Sequence, residues 1–174
     1  MVIRKMKLVN WRNFRKAEID FDDVTYIIGP NAAGKSNFLD VFRFLRDIAN
    51  PQGGGLSNAL QIRGGFSKVR CLAARQKPNI AIEIELAESF ANVAPLWRYS
   101  LEIGQQSRGL FLPKVVREEV YSYRVGAYVL QRPDAQDRKD ERLLTQTALE
   151  QLAMNGKFRE IADFFSRVLY LHLV

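Results

Sequence analysis

The sequence predicts an α/β chain with α+β character: a mixed sheet around one amphipathic helix, plus an antiparallel β-subdomain. Three observations predict it. Apolar residues alternate at period two through much of 2–21 and again through 79–131. A short apolar run at 24–28 leads into a glycine-containing loop at 29–34. Beyond that loop the apolar spacing changes to three and four residues, the period of a helix.

The elements follow in chain order. Val2, Met6 and Leu8 share one side of an extended segment, with Arg4 as an exception among them. Ala17, Ile19 and Phe21 then alternate with Lys16, Glu18 and Asp20, and the short link at 10–14 suggests a β-hairpin. Residues 24–28 are almost uninterrupted apolar sequence, the pattern of a strand covered on both faces. Phe38, Val41, Phe42, Leu45 and Ile48 predict a helix over 36–49 that ends ahead of Pro51. Residues 50–55 have the composition of a flexible loop. Further on, Ile80, Ile82, Ile84 and Leu86 alternate with Ala81, Glu83 and Glu85, and Trp97, Tyr99, Leu101 and Ile103 alternate with Arg98, Ser100 and Glu102. Segments 115–123 and 127–131 add two strands around Gly126, and gaps this short predict an antiparallel meander. Residues 133–142 are dense in both charge signs and read as an exposed loop or a helix start. Phe158, Ile161, Ala162, Phe165 and Leu169 mark one face of a further helix, and 169–174 read as the start of a buried strand. The chain thus divides into 1–50, a flexible basic loop region at 51–78, the β-subdomain at 79–131 and a helical segment at 132–174.

Composition narrows the classes. The 174 residues carry 26 Lys and Arg against 19 Asp and Glu, a formal net charge of +7. With 47% apolar and 26% charged residues, the chain is of ordinary globular type, which excludes disorder and fibrous repeats. Cys71 is the sole cysteine and His172 the sole histidine. They cannot build a disulfide scaffold, a Cys/His metal centre, a Ser-His-Asp triad or a cysteine nucleophile with its base. His172 lies in an apolar run and reads as a core residue, and Trp11 and Trp97 read as packing anchors. No apolar run approaches the ~18 residues of a membrane helix, and the basic N-terminus lacks a signal peptide's apolar region. A cytoplasmic location without membrane contact is the expectation. Arg4, Lys5, Lys7, Arg12, Arg15 and Lys16 form one basic cluster, and Arg63, Lys68, Arg70, Arg75 and Lys77 another. Either attracts phosphates, or is simply a solvated face.

Residues 29–36 read Gly29-Pro30-Asn31-Ala32-Ala33-Gly34-Lys35-Ser36, the G-x-x-x-x-G-K-S pattern of a P-loop. Each part has a physical task. Gly29 permits a tight turn after the apolar run, and Gly34 lets backbone approach a phosphate without a Cβ in the way. Amides from Asn31 to Ser36 can point inward, and the following helix adds its positive N-terminal end. Lys35 supplies a point charge to the β- and γ-phosphates, and the Ser36 hydroxyl can ligate Mg²⁺.

Asn13-Phe14-Arg15 lies ahead of this loop, and 29–40 reads Gly-Pro-Asn-Ala-Ala-Gly-Lys-Ser-Asn-Phe-Leu-Asp. Together they resemble the N-terminal lobe of ABC-type ATPases of the SMC/RecF group, including AAA-labelled and OLD-like relatives. The stretch at 158–174 is similar to the end of that lobe in AAA-labelled members. Ala32 stands where glycine is usual, a position that would disfavour alanine if it needs φ > 0. The resemblance implies a P-loop NTPase fold, lobe I, binding ATP with Mg²⁺ through 29–36 and Asn37. It implies that Arg15, with Asn13 and Lys16, sits near the nucleotide. It implies a catalytic role for Lys35 and for a glutamine that couples Mg²⁺ and water to a second lobe: Gln146, with Gln105, Gln106 and Gln131 as other candidates. Signature, Walker B and switch residues lie in that second lobe in the family. The partners implied are therefore a second lobe or protomer, in an ATP-sandwiched homodimer, and DNA. Repair, chromosome handling, phage defence and nuclease control all use such a head.

No apolar strand ending in Asp-Glu follows residue 40, so little hydrolysis is expected of these residues alone. A P-loop GTPase or small-molecule kinase is an alternative; it requires parallel strands alternating with helices, which the meander at 79–131 opposes. A basic nucleic-acid-binding module is another. Glu118 and Glu119 beside Arg117 read as a solvated strand face.

Overall fold

The computed structural model describes residues 1–73, 79–92, 94–106 and 112–171. Strands β1 (Val2–Trp11) and β2 (Phe14–Asp20) form the expected hairpin. Helix α1 (Lys35–Ala49) follows the loop, and two short helices, α2 (Leu56–Gln61) and α3 (Phe66–Val69), follow α1. Strands β3 (Ile80–Ala87), β4 (Pro95–Gln105), β5 (Pro113–Ser122) and β6 (Ala127–Arg132) form the meander. Helix α4 (Ala135–Lys139), two 3₁₀ turns (Glu141–Thr145 and Asn155–Lys157) and α5 (Arg159–Ser166) complete the order.

Hairpin and meander are one sheet, ordered β2-β1-β3-β4-β5-β6, with every pairing antiparallel. The α/β class holds, but among the described residues the sheet is not mixed. The segment that would have mixed it, 24–28, forms no strand: the chain bends at 23–24 and pairs with no other strand. Val24, Tyr26 and Ile28 are 63%, 82% and 92% exposed. The run is apolar as a covered strand should be, yet most of it stays exposed; Ile27, at 37%, lines a cavity with Phe21, Leu39 and Phe42.

Alternation works because one sheet face is buried. Met6, Leu8, Ile82, Ile84, Leu86, Tyr99 and Leu101 turn to one side and pack with α1 and α5. The opposite face carries charge pairs such as Lys5–Glu18 at 2.7 Å and Lys7–Glu83 at 2.9 Å. Register slips between Ile3 and Lys5 where β1 meets β3. That bulge changes the phase at Arg4, so Ile3 packs on the core in place of Val2. Arg4 instead donates to the Phe21 carbonyl at 3.2 Å.

In α1 the buried face is Phe38, Val41, Phe44, Leu45, Ile48 and Ala49. Phe44 is added to the expected stripe, and Phe42 is only partly buried. Trp11 and Trp97 are both packing anchors, 0% and 6% exposed. The segment at 51–78 departs from the expected loop. Leu56, Ala59, Leu60, Phe66 and Val69 are buried in its two short helices. Its Arg75 and Lys77 lie outside the described residues. At the other end, α5 stops at Ser166, so Leu169 leaves the helical face and is 84% exposed. Residues 169–171 form no strand, and His172 lies outside the described residues.

Glu118 corrects the reading of β5. Register slips again between Glu102 and Ile103 of β4, opposite Arg117 and Val115. This leaves Val116 and Arg117 outward and turns Glu118 inward, 0% exposed. There Glu118 accepts from Arg132 Nη1 (3.2 Å), Tyr99 Oη (3.0 Å), and the Ala148 (2.6 Å) and Leu149 (3.2 Å) amides. Arg132 also pairs with Asp137 at 2.7 Å. Asp134 caps α4, exchanging bonds with Asp137 in a capping box. The charged stretch at 133–142 is thus a helix start, and the Glu118 cluster ties it to the meander.

Candidate functional site

The loop at 29–34 links the exposed run at 24–28 to the first turn of α1. Gly34 is the N-cap of α1, at φ 99° and ψ 10°, and no side chain caps the helix. No acidic residue occupies the first turn. The helix therefore presents amides free of side-chain partners at its positive end. Ala32 has φ 64°, the left-handed conformation that glycine adopts freely and alanine adopts at a cost. The departure noted in the sequence thus falls on a residue that does need positive φ. The loop forms with alanine there.

Lys35 folds back over the loop, and its ammonium donates to the Gly29 carbonyl at 2.6 Å and the Pro30 carbonyl at 2.7 Å. The Ala33 amide donates to Pro30 O at 3.3 Å. Pro30, Asn31, Ala32 and Ser36 are exposed, while Gly34 is buried. Gly34 is buried by the hairpin: a Cβ there would overlap the Asn13 amide. Asn13 Nδ2 lies 3.4 Å from Ala33 O, and Asn37 Nδ2 donates to Asn13 Oδ1 at 3.1 Å. Trp11 Nε1 donates to Asn37 O at 2.7 Å. The hairpin thus touches the loop through Asn13 and Trp11, whereas Arg15 and Lys16 are exposed on β2.

Nucleotide and metal fit these residues. An uncapped helix end, left-handed backbone at Ala32 and Gly34 and a lysine over the loop bring together donors suited to phosphate oxygens. The exposed Ser36 hydroxyl, in the first turn of α1, has the chemistry of a Mg²⁺ ligand beside such phosphates. Among the described residues no cluster of three His, Cys, Asp or Glu side chains suits a metal ion.

Gln146 is not brought to the loop. It is exposed beyond the first 3₁₀ turn and lines a cavity of about 420 Å³ with Gly54, Gly55 and Ser57. The Gly55 amide bonds to Asp47 O at 3.1 Å, at the far end of α1 from Ser36. The 15 residues of α1 put about 20 Å between those ends. Gln105 ends β4, Gln106 follows it, and Gln131 is exposed on β6.

Two features escaped the sequence reading. Asp40 binds both Arg12 (2.8 Å) and Arg63 (3.0 Å), and Arg63 reaches Asp47 at 2.9 Å. The spacing of Asp40 and Asp47 along one helix was the available signal. Burial favours the protonated Asp40 carboxyl, but hydrogen bonds from Arg63 and Arg12 outweigh it and hold its pKa below the ordinary value. Second, a cavity of about 420 Å³ beside the loop is lined by Arg12, Asn13, Asn37, Lys68, Arg70 and others. The Nε atoms of Arg12 and Arg70 are buried without a hydrogen-bond partner.

Glycine-rich loop and uncapped helix, set beside a six-stranded sheet, mark a P-loop nucleotide-binding domain of the α/β class. The chain belongs to the AAA domain family described as "AAA domain, putative AbiEii toxin, Type IV TA system", which matches residues 24–169. It is 30% identical over 122 residues to the DNA replication and repair protein RecF of Oceanobacillus iheyensis, covering 66% of this chain and 32% of that protein. It is 33% identical over 122 residues to RecF of Lactobacillus gasseri, with the same coverage. RecF of Lactobacillus johnsonii is 24% identical over 119 residues, covering 66% of this chain and 32% of that protein. The chain therefore spans about a third of the length of the curated relatives it matches. These matches bear out the resemblance to ABC-type, RecF-like P-loop ATPases. Among the described residues no helix is long and apolar enough to cross a membrane.

Proposed function

We propose that this chain is the nucleotide-gripping lobe of an ATPase that acts in DNA repair or maintenance, or in phage defence, and that it binds ATP with Mg²⁺ through residues 29–36. One observation carries the reading: α1 begins on Gly34 with no side-chain cap, directly behind a loop held in left-handed turns at Ala32 and Gly34. Lys35 would exchange its two carbonyl partners for β- and γ-phosphate oxygens. Ser36 would hold Mg²⁺, which neutralises phosphate charge when bound. Asn31 lies within the loop and Asn37 directly follows it. Asn13 acts as its support from the hairpin, while Arg15 and Lys16 remain exposed for whatever approaches.

The exposed apolar run at 24–28 supports a further part of the reading, that a second lobe packs beside it and closes over the triphosphate in a sandwiched dimer. An exposed apolar segment is the surface such a lobe would cover. The name of the RecF relatives and the basic cavity at Arg12, Lys68 and Arg70 support DNA as partner of the assembled protein. The antiparallel sheet weighs against the GTPase and kinase alternatives.

The test is calorimetric titration of MgATP into the chain and its Lys35→Ala variant. Binding by the chain and loss of it in the variant are expected. Affinity unchanged by the substitution would exclude this loop as the site.

A further inference from the structure

The hairpin turn holds a contradiction that the fold has to resolve. Only Arg12 and Asn13 separate β1 from β2, and Trp11 pairs directly with Phe14. Turns this tight favour Asn or Gly where φ is positive. Here the residue at φ 52° is Arg12, a long side chain with nothing local to recommend it. Such a conformation persists where surrounding contacts over-determine it, and Arg12 has three. Its amide donates to Val69 O at 2.6 Å, its Nη1 to Lys68 O at 3.2 Å, and its Nη2 to Asp40 Oδ2 at 2.8 Å. Asp40 is itself fixed by Arg63, which donates Nε and Nη2 to its two oxygens at 3.0–3.1 Å and lies 4% exposed.

The next residue in the turn is Asn13, whose amide lies against Gly34 and bonds Asn37. The chain of contacts therefore runs from Asp40, one helical turn beyond Ser36, out to Arg12 in the hairpin and back through Asn13 to the loop. We infer that Asp40 is a positioning residue for the loop, acting through Arg12 and Asn13 to set the backbone of Asn31–Ser36. The inference rests on the reading of that loop as an ATP site. Asp40 touches no nucleotide; it holds the turn that holds the loop. A charge-paired carboxylate suits the task, because Arg63 forks onto it through Nε and Nη2 while Arg12 binds it through Nη2, fixing its direction.

Two readouts separate this inference from that reading. The first needs no nucleotide: amide hydrogen exchange of the free chain and of Asn13→Ala, Asp40→Asn and the double variant. Exchange at 31–37 should quicken by about tenfold in each variant, and no further in the double, while β3 to β5 stay as protected as before. The second readout is MgATP affinity, expected to weaken about tenfold in each single variant and no more in the double. Unchanged loop exchange overturns the inference, as does quickening spread evenly over the sheet, or effects that multiply in the double variant. If loop exchange responds but the parent chain shows no Lys35-dependent ATP binding, the positioning role stands and the ATP reading fails. Should Asp40→Asn not fold, Asp40→Glu keeps the charge and displaces the carboxylate by one methylene; parental loop exchange in that variant overturns the inference.

Discussion

Ala32 shows how one residue departs from its local preference and is tolerated. At φ 64° an alanine carries a steric penalty of about 1–2 kcal/mol. Glycine would remove that penalty but give back some stability to the unfolded chain, about 0.4–1 kcal/mol. The balance favours glycine, so Ala32→Gly should raise the unfolding free energy by about 0.5–1 kcal/mol in urea denaturation. A lower midpoint in the variant would show that the loop relies on the alanine methyl. Gly34 is different in kind. Its φ is also positive, but the Asn13 amide fills the space a Cβ would need, so both conformation and close approach require glycine there.

At the scale of elements, the cluster around Glu118 decides how the last third of the chain is attached. Glu118 takes two amides from 148–149 and one guanidinium from β6, all in the interior. Removing it strands Arg132 with its charge only half matched. Glu118→Ala should cost about 3–5 kcal/mol, read as a shift of the urea midpoint. A loss under about 1 kcal/mol would mean that the buried pair relaxes to water. The same residue explains the limits of sequence reading. Strand existence in β1, β2, β3 and β4 was legible because alternation reports burial of one face directly. Phase was not legible across the bulges at Arg4 and Val116, since an inserted residue leaves no compositional mark. Thus Val2 was assigned inward and Glu118 outward, both wrongly. The loop at 29–36 was legible because its chemistry is local and requires particular residues at fixed spacing. The Asp40 to Arg12 link and the placement of Gln146 were not, because they depend on how distant elements pack. Residues 24–28 are a third kind of case. Their composition reads as a covered strand, but the segment pairs with no other strand among the described residues, and Val24, Tyr26 and Ile28 are exposed.

For the molecule as a whole, acid should act through paired carboxylates. Asp40 and Asp137 both have pKa values below the ordinary one: burial opposes their ionisation, but arginine hydrogen bonds outweigh it. A carboxyl with a depressed folded-state pKa binds fewer protons folded than unfolded just below ~pH 4. Its contribution is therefore full above that value and is lost as pH falls through the lower, folded pKa. Glu118 runs the other way, because burial outweighs its amide and arginine partners and raises its pKa. The melting temperature of the chain should fall on acidification below ~pH 4, and the fall should be shallower in Asp40→Asn. Equal slopes in both proteins would remove Asp40 from the account.

The order β2-β1-β3 has a consequence for the nascent chain. Strands β2 and β3 run parallel to each other with β1 between them, so the glycine-rich loop and α1 belong to a crossover that spans one face. About 60 residues separate Asp20 from Ile80, which takes a ribosome roughly 3–12 s at typical rates. Through that interval the first strand has one neighbour and a bare edge. Its partner is among the last parts of the crossover unit to be made. Lys7, which later meets Glu83 across the sheet, would meanwhile serve as a guard, keeping a strand of one growing chain from adding to another.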